Sequence, residues 1–374
     1  MPLGLRMMMA TAGVSGSSPE GELWTWGRGT GGKNAQGNET HYSSPVQVGV
    51  ATNWTLLGSG SQSNAFVNSA GKLYTVGLNT HGTLGLNNTT SYSTIQQVGA
   101  LTTWAGGWIA SYDHLLKVNA DGTLWAVGRN GSGQLGTGDT VGLSSPVQVG
   151  ALTNWSTTQS GSGAHSLFVK TDGTLWACGS NYQGKLGLGD TNPRSSPTQV
   201  GVLTDWAMVG SDLHSMFAIK ADGTLWSCGT GNSGRLGHGN TTSYSSPKQV
   251  GALTDWAWVS GGSGNAFFVK TDGTLWSVGH DGTSGFLGHN VINTGLSSPA
   301  QVGALTDWYR TYSHNTHTVA RKTDNTIWAW GSNYGGRLGV GDSVGRSSPT
   351  QIGALATWIK AHAGTDNSVG IKTP

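Results

Sequence analysis

Short apolar runs separated by turn residues alternate along the whole chain. One example is Phe168–Lys170, followed by a turn at Asp172-Gly173 and the apolar run Leu175–Cys178. Asp-Gly between two apolar runs predicts a β-hairpin in which both turn residues adopt positive φ. No segment shows a sustained apolar period of 3.6 residues, so helices should be nearly absent. The pattern predicts an all-β chain.

The second run of each hairpin is apolar on both faces, as expected where sheets stack on both sides. Its third position always holds a small residue, which lets neighbouring sheets approach closely. The seven small residues are Thr25, Thr75, Ala126, Ala177, Ser227, Ser277 and Ala329.

Four phrases recur in one order through seven copies, which identifies a repeat. Gly-Thr-Leu-Trp-Ala-Val-Gly at 122–128 has variants that end at glycines 50 to 52 residues apart. The other phrases are Leu-Thr-Asn-Trp at 152–155, Ser-Ser-Pro-Val-Gln-Val-Gly at 144–150 and a leucine-glycine turn at 134–139. A unit of about fifty residues fits four strands with their turns, which is one blade of a β-propeller.

The two ends of the chain decide between an open and a closed architecture. An open solenoid would need polar capping repeats, but the first unit begins midway, at Glu22–Gly27, and the last stops midway, at Ser368–Lys372. Pairing these strands would close a ring and remove both sheet edges. We therefore expect a seven-bladed β-propeller whose N-terminal and C-terminal strands share one blade. The predicted divisions are a tail or anchor at 1–19 and one propeller at 20–374, with blades at about 50–100, 101–151, 152–202, 203–252, 253–304, 305–354, and 355–374 with 20–49.

Composition narrows the function classes. Charged residues are only 10% of the chain and the net charge is +2, so no single-sign field would steer nucleic acid to it. No apolar run is long enough for a transmembrane helix, and residues 1–17 are too weakly apolar for a secretory signal. Cys178 and Cys228 occupy one slot in successive repeats and are expected to be core residues rather than a disulfide or a metal pair.

Histidine or asparagine recurs just before the first strand of each hairpin, which suggests a metal site or a structural corner. Amides are poor zinc ligands, and two members of the series are out of phase, so the structural interpretation is favoured. The aspartates of the Gly-x-Gly-Asp turns are explained by turn chemistry, and no catalytic, metal or cofactor constellation emerges. The histidine and asparagine series comprises Asn64, His114, His165, His214, Asn265, His317 and Asn367.

The chain has 17 tryptophans, an excess that suggests either a light-sensing cluster or the fold itself. Thirteen lie in the two repeated phrases that contain tryptophan, and Trp26 and Trp330 fill a slot that is otherwise apolar, so we expect them in the core. The remaining two lie in the variable stretch after Leu-Thr-x-Trp, as do two tyrosines. Aromatic residues of this kind are candidate partner-binding anchors. These candidates are Trp108, Trp258, Tyr309 and Tyr312.

Leu-Trp-x-x-Gly, Gln-Leu-Gly-x-Gly-Asp and Ser-Ser-Pro-x-Gln-Val together resemble the repeat of the regulator of chromosome condensation family. The resemblance covers roughly 20–374 and is clearest at 122–150 and 173–201. It implies a seven-bladed propeller closed by the two chain ends. The family's namesake is a nucleotide-exchange factor for a small GTPase that also binds chromatin through a basic tail, whereas residues 1–17 contain only Arg6. The regular, charge-poor copies look more like microbial or bacteriophage members.

These observations favour a non-enzymatic interaction or structural module without a cofactor. We expect a bacteriophage virion or microbial surface component that binds a protein or glycan partner through loops such as 28–41, 87–94 and 281–296. The alternatives are an exchange regulator of a small GTPase and a proteinaceous enzyme inhibitor. The expected location is a virion or the cell surface, with the cytoplasm as the alternative.

Overall fold

The computed structural model describes residues 19–104, 109–110, 113–161 and 163–374. Most of the predicted tail therefore lies outside the described residues. Apart from four single-turn 3₁₀ helices at Thr30–Gly32, Tyr182–Gly184, Asn232–Gly234 and Tyr334–Gly336, the described elements are strands, as the apolar pattern predicts. In chain order they are β1 (Glu22–Gly27), β2 (Tyr42–Gln47), β3 (Trp54–Ser59), β4 (Ser63–Asn68), β5 (Leu73–Gly77), β6 (Tyr92–Gln97), β7 (Ile109–Ala110), β8 (His114–Val118), β9 (Leu124–Gly128), β10 (Leu143–Gln148), β11 (Trp155–Gly161), β12 (His165–Lys170), β13 (Leu175–Gly179), β14 (Arg194–Gln199), β15 (Trp206–Ser211), β16 (Ser215–Lys220), β17 (Leu225–Gly229), β18 (Tyr244–Gln249), β19 (Trp256–Gly261), β20 (Asn265–Lys270), β21 (Leu275–Gly279), β22 (Leu296–Gln301), β23 (Trp308–His314), β24 (His317–Lys322), β25 (Ile327–Gly331), β26 (Arg346–Gln351), β27 (Trp358–Ala363) and β28 (Asn367–Lys372).

The strands form seven antiparallel sheets of four strands, which are the blades of a propeller. Blades 1 to 6 are contiguous in sequence, from β3–β6 through β23–β26. Blade 7 has the order β2-β1-β28-β27, and β1 pairs with β28 from Glu22 opposite Lys372 to Gly27 opposite Asn367. This pairing confirms the predicted closure of the ring by the two chain ends.

The first strand of each blade contacts the first strands of both neighbours, so β3, β7, β11, β15, β19, β23 and β27 surround the central channel. Because successive strands are antiparallel, the connections alternate between two faces of the ring. One face, here the loop face, carries the turn after each inner strand and the long loop between the third and fourth strands. The other, here the turn face, carries the Asp-Gly turns and the connection into the next inner strand.

The apolar core lies between neighbouring blades. One cluster joins Leu57 and Phe66 of blade 1 to Val369 and Ile371 of blade 7, and similar clusters fill the other junctions. Trp26 and Trp330 are fully buried in this layer, as expected from their slot. Cys178 and Cys228 are both free and buried, and burial raises the pKa of each thiol above its usual range.

The hairpin turns differ from the sequence prediction in one respect. Gly173 has a positive φ of 79°, but the preceding aspartate does not. The Asp172 carboxylate instead accepts hydrogen bonds from the backbone nitrogen (2.9 Å) and the hydroxyl (2.6 Å) of Thr174. This local bond stabilises the turn with the aspartate at negative φ, so only the glycine position needs the left-handed region.

Candidate functional site

The histidine series lies at the loop-face end of the blade junctions. His114 Nε2 lies 3.0 Å from Ser166 Oγ in the next blade, and Ser166 donates to the backbone oxygen of Gln134 (2.7 Å). His317 repeats the arrangement with Ser368 at 2.9 Å. Burial holds the pKa of both imidazoles well below their usual range. His114 and His317 thus join neighbouring blades through a serine. Within the described residues there is no group of three side chains that could hold a metal ion.

The Gly-x-Gly-Asp turns are fastened by an asparagine that the sequence analysis did not single out. Asn181 Nδ2 donates to the backbone oxygen of Asp190 (3.0 Å), and Asn181 Oδ1 accepts from the backbone nitrogen of Leu186 (2.9 Å). Asp190 also binds Arg194 at 2.6 Å. Asn130 and Asn333 make equivalent bonds, so these aspartates serve the loops, as turn chemistry predicts.

At the turn face, a lysine ends the second strand and lies between two tryptophans of its own blade. Lys270 Nζ is 5.0 Å from the centroid of Trp256 and 4.5 Å from that of Trp276, and it pairs with Asp255 at 3.3 Å. The same sandwich occurs in three further blades, with lysines Lys170, Lys220 and Lys322. In these four blades the tryptophans of the two repeated phrases therefore serve the fold.

Three of the four aromatic candidates lie together on the channel wall, whereas Trp108 lies outside the described residues. Trp258 of β19 contacts Tyr312 of β23 edge-to-face, with ring centroids 5.5 Å apart. The Trp258 indole donates to the backbone oxygen of Thr311 (2.8 Å). Tyr312 stacks on His362 of β27 at 3.7 Å. The inner strands of blades 5, 6 and 7 are thus joined by aromatic contacts.

Basic side chains accompany these aromatic residues. The Arg310 guanidinium lies over Trp258 (4.5 Å) and over Tyr309 (4.9 Å), and Arg321 covers Tyr309 at 4.5 Å. Lys360 Nζ donates to the backbone oxygen of Thr55 in blade 1 (2.7 Å). We call Trp258, Tyr309, Tyr312, His362, Arg310, Arg321 and Lys360 the channel cluster.

The loop face gathers paired charges in the turns that follow the inner strands. Asp366 binds Arg337 at 3.1 Å and Arg28 at 3.5 Å, and buried Asp113 binds Arg129 at 3.3 Å. These ion pairs connect the turns that follow the inner strands to the long loops of the same face.

Asp212 completes this set in blade 4. Its carboxylate is fully buried, accepts a hydrogen bond from the backbone nitrogen of His214 (2.7 Å), and lies 3.7 Å from Arg235. Burial raises the pKa of Asp212, while Arg235 acts in the opposite direction. A buried aspartate of this kind is expensive to maintain unless it is paired, which explains the arginine beside it.

Two exposed tyrosines lie on the loop face close to these aspartates and arginines. Tyr182 and Tyr334 occupy the same slot in the long loops of blades 3 and 6, and each is 61% exposed. Tyr334 lies 5.6 Å from the guanidinium of Arg28 and 5.8 Å from that of Arg337, and Tyr182 meets His214 edge-to-face. We call Tyr182, Tyr334, Arg28, Asp366, Asp212 and Arg235 the loop-face cluster.

The model of the regulator of chromosome condensation (RCC1) repeat matches residues 121–169, 172–216, 222–269 and 324–371, just over half of the chain. The chain belongs to the RCC1 repeat family. The matched RCC1 repeats lie in blades 2 to 7, across the positions where the turns, tryptophans and leucine-glycine loops recur.

Individual relatives cover small parts of this chain. Mouse Protein RCC2 is 38% identical over 89 residues, which are 23% of this chain and 17% of that protein. Mouse X-linked retinitis pigmentosa GTPase regulator is 33% identical over 93 residues, 25% of this chain and 9% of that protein. The chain thus spans less than a fifth of the length of these curated relatives.

Prp20p from Saccharomyces cerevisiae has a similar structure throughout. The comparison gives a TM-score of 0.85 at 18% identity and covers 97% of this chain and 94% of that chain. At this identity the likeness shows the fold alone. None of the described helices is long and apolar enough to cross a membrane.

Proposed function

We propose that this protein is a non-enzymatic regulator that binds a protein partner through the loop-face cluster. The observation that carries the proposal is the pair of exposed tyrosines, Tyr182 and Tyr334. Tyr334 lies beside the guanidinium groups of Arg28 and Arg337, and Tyr182 contacts the imidazole of His214. Tyrosine and arginine are enriched among residues that dominate binding energy at protein interfaces. Loops presented by a rigid scaffold are the usual place for such contacts.

The relatives favour a regulator over a virion component. Those reported above come from mouse and yeast, and one is named a GTPase regulator. They give no support to the interpretation as a bacteriophage virion or microbial surface component, or to a glycan partner. Because each curated match covers about a quarter of this chain, regulation itself is our proposal rather than a property transferred from them.

Nucleotide exchange on a small GTPase is the second candidate. Prp20p, whose fold this chain shares, is described by its binding to Gsp1p and histones. The loop-face cluster supplies the charge on one face that such a role requires, through Asp366, Asp212 and their arginines. This candidate predicts the same binding surface as the first but adds an effect on nucleotide release.

The test compares Tyr182→Ala/Tyr334→Ala with the wild-type full chain. Quantitative affinity purification should retain specific proteins on the wild type and lose them on this variant. The control is Val50→Ala/Val202→Ala, which alters two exposed side chains on the turn face and should retain the same partners. Equal retention by both variants would contradict binding through the loop face.

Exchange is tested separately with purified small GTPases carrying a fluorescent guanine nucleotide. Faster nucleotide release with the wild type, lost in Tyr182→Ala/Tyr334→Ala, would support the second candidate. If nucleotide release stays at the intrinsic rate with every GTPase tested, exchange activity is excluded for those GTPases. Regulation by partner binding then remains, provided that the two tyrosines control that binding.

A further inference from the structure

The outer strand of each blade is an unpaired sheet edge, and β6 of blade 1 differs from the other six outer strands. Each of the others carries a proline at its fourth position, whereas β6 carries Ile95. Proline has no backbone N–H group and is tolerated at a sheet edge where that group would face solvent. Charged side chains also discourage edge pairing, and Arg194, Lys248 and Arg346 lie on three outer strands, but β6 has no charged residue. The six prolines are Pro45, Pro146, Pro197, Pro247, Pro299 and Pro349.

The pairing between β5 and β6 shows where the backbone of Ile95 points. The nitrogen of Val98 donates to a backbone oxygen of β5 (2.9 Å), and Gln96 lies opposite Thr75 in the same ladder. Alternate residues of a strand direct their N–H and C=O groups to opposite sides. The backbone groups of Ile95 and Gln97 therefore point away from β5, toward the outside of the ring.

The fold does not require the N–H group of Ile95. Six blades are built with a proline at this position, so the blades form and pack without a donor there. The Ile95 side chain packs on the apolar cluster between blades 7 and 1. At the loop-face end of the strand the edge is already covered, because the Gly37 nitrogen donates to the Ser93 oxygen (2.8 Å). The open part of the edge therefore begins at Ile95.

The open part of β6 is complementary to itself. A second copy of the strand, running antiparallel with a two-fold axis at Gln96, places Ile95 of each copy opposite Gln97 of the other. Both residues direct their backbone groups outward, so each pair exchanges both of its hydrogen bonds. No like charges meet at the axis, because β6 has none. Pairing with any other outer strand of the chain would meet a proline, so a second β6 is the occupant that fits.

We propose that this chain forms a two-fold dimer in which the β6 strands of two copies pair antiparallel and join the two copies of blade 1 into one continuous sheet. Among the described outer strands only this edge lacks a proline, so association stops at two copies. The paired strands run in opposite directions, so the loop faces of the two rings point opposite ways and both remain accessible. The dimer is therefore compatible with binding through the loop-face cluster and does not depend on it.

Sedimentation velocity of the full chain, from micromolar to near-millimolar concentrations, measures the dimer directly. The wild type should shift from monomer to dimer and form nothing larger. Ile95→Pro gives blade 1 the residue that six blades carry at this position, so the variant should fold, yet it loses the donor and should dimerise at least about tenfold more weakly. Ile95→Val is the matched control, because it keeps the N–H group and the β-branched shape and should dimerise within about twofold of the wild type.

Two further variants separate edge pairing from a local disturbance of blade 1. Pro146→Ile opens the edge of β10, which has no charged residue, and in the Ile95→Pro background it should restore dimerisation. Gln96→Lys places like charges side by side at the axis and should weaken the dimer, with partial recovery at high salt. In the wild type, the amide hydrogens of Ile95 and Gln97 should exchange more slowly at high protein concentration.

The proposal is overturned if the wild type stays monomeric throughout, if Ile95→Pro dimerises as strongly as the wild type, or if assembly continues beyond two copies. A monomeric wild type whose Ile95 amide is protected only when another protein binds would assign the edge to that protein and likewise exclude pairing between copies. Circular dichroism melting establishes that each variant is folded. Tyr182→Ala/Tyr334→Ala should dimerise as the wild type does, so failure of the loop-face proposal and failure of this one are distinguishable.

Discussion

Replacing Lys270 by methionine tests whether the lysine and tryptophan sandwiches stabilise the blades. The lysine is only 7% exposed, and its ammonium group contacts Trp256 and Trp276 at 5.0 and 4.5 Å. Methionine keeps most of the length and apolar volume of the side chain, so the substitution removes the charge with little change in packing. Lys270→Met therefore isolates the cation–π contacts and the ion pair with Asp255.

The expected loss is modest because two effects oppose each other. A cation–π contact contributes about 0.5 to 2 kcal/mol, depending on desolvation, and the lysine makes two of them. Its ion pair spans 3.3 Å to a carboxylate that is 39% exposed and should add less than about 1 kcal/mol. Removing the charge also removes the cost of burying it. We expect a net loss of about 1.5 kcal/mol in the free energy of unfolding.

Urea denaturation measures this loss as a lower midpoint at an unchanged slope. Lys248→Met is the matched control, because Lys248 is itself exposed and contacts a single ring, Tyr244, and the substitution should cost less than about 0.5 kcal/mol. A double-mutant cycle of Lys270→Met with Trp276→Leu should give a coupling of about 1 kcal/mol. A Lys270→Met protein as stable as the wild type, or a coupling near zero, would refute the reasoning.

Two further predictions concern protonation and ring closure. Burial lowers the pKa of His114 and His317 well below 6.5, so both imidazoles stay neutral in the folded state and their stabilising effect is complete above pH 6.5. Below pH 6.5 the free energy of unfolding should fall by about 1.4 kcal/mol per pH unit for each histidine. His317→Asn should reduce this slope by one proton, and an unchanged slope would contradict the account. In a circular permutant, Pro374 is joined to Glu20 and the chain is opened at the exposed Ala151–Leu152 connection; this protein should melt within a few degrees of the wild type. A second permutant, opened within β12, should lose cooperative melting. Two equally stable permutants would argue against a closed ring.

The number of blades and the closure of the ring were predictable because both follow from repetition. Each hairpin, leucine-glycine loop and inner-strand tryptophan recurs at nearly constant spacing, and the chain ends supply the halves of one blade. The conformation of the hairpin turns was less predictable. The Asp-Gly pair specifies a turn, but the side-chain bond from Asp172 to Thr174 decides its backbone geometry.

The candidate sites depend on residues that interrupt the repeat. Tyr309 and Tyr312 were recognised because aromatic residues stand out in a variable stretch, and Arg321 carried a similar signal as a charge in an aliphatic slot. The loop-face cluster had no such signal. Asp113, Asp212 and Asp366 occur in the turns of blades 2, 4 and 7 without a common phrase. Asp113 and Asp212 pair with an arginine of their own blade, whereas Asp366 meets Arg337 of blade 6 and Arg28 from the other end of the chain.

The shared blade has a consequence for how the protein is made. Strand β1 leaves the ribosome about 340 residues before its partner β28, which at ordinary rates of synthesis is roughly 20 to 70 seconds. During that time the pairing edge of β1 and the apolar side chains of Leu23 and Trp26 lack the blade that buries them. Blades 1 to 6 can assemble in order as they emerge, but the last hairpin must find the first strands of the nascent chain. The nascent chain is therefore more prone to aggregate than the finished protein. It should depend on chaperones to cover the edge of β1 until β28 has been synthesised.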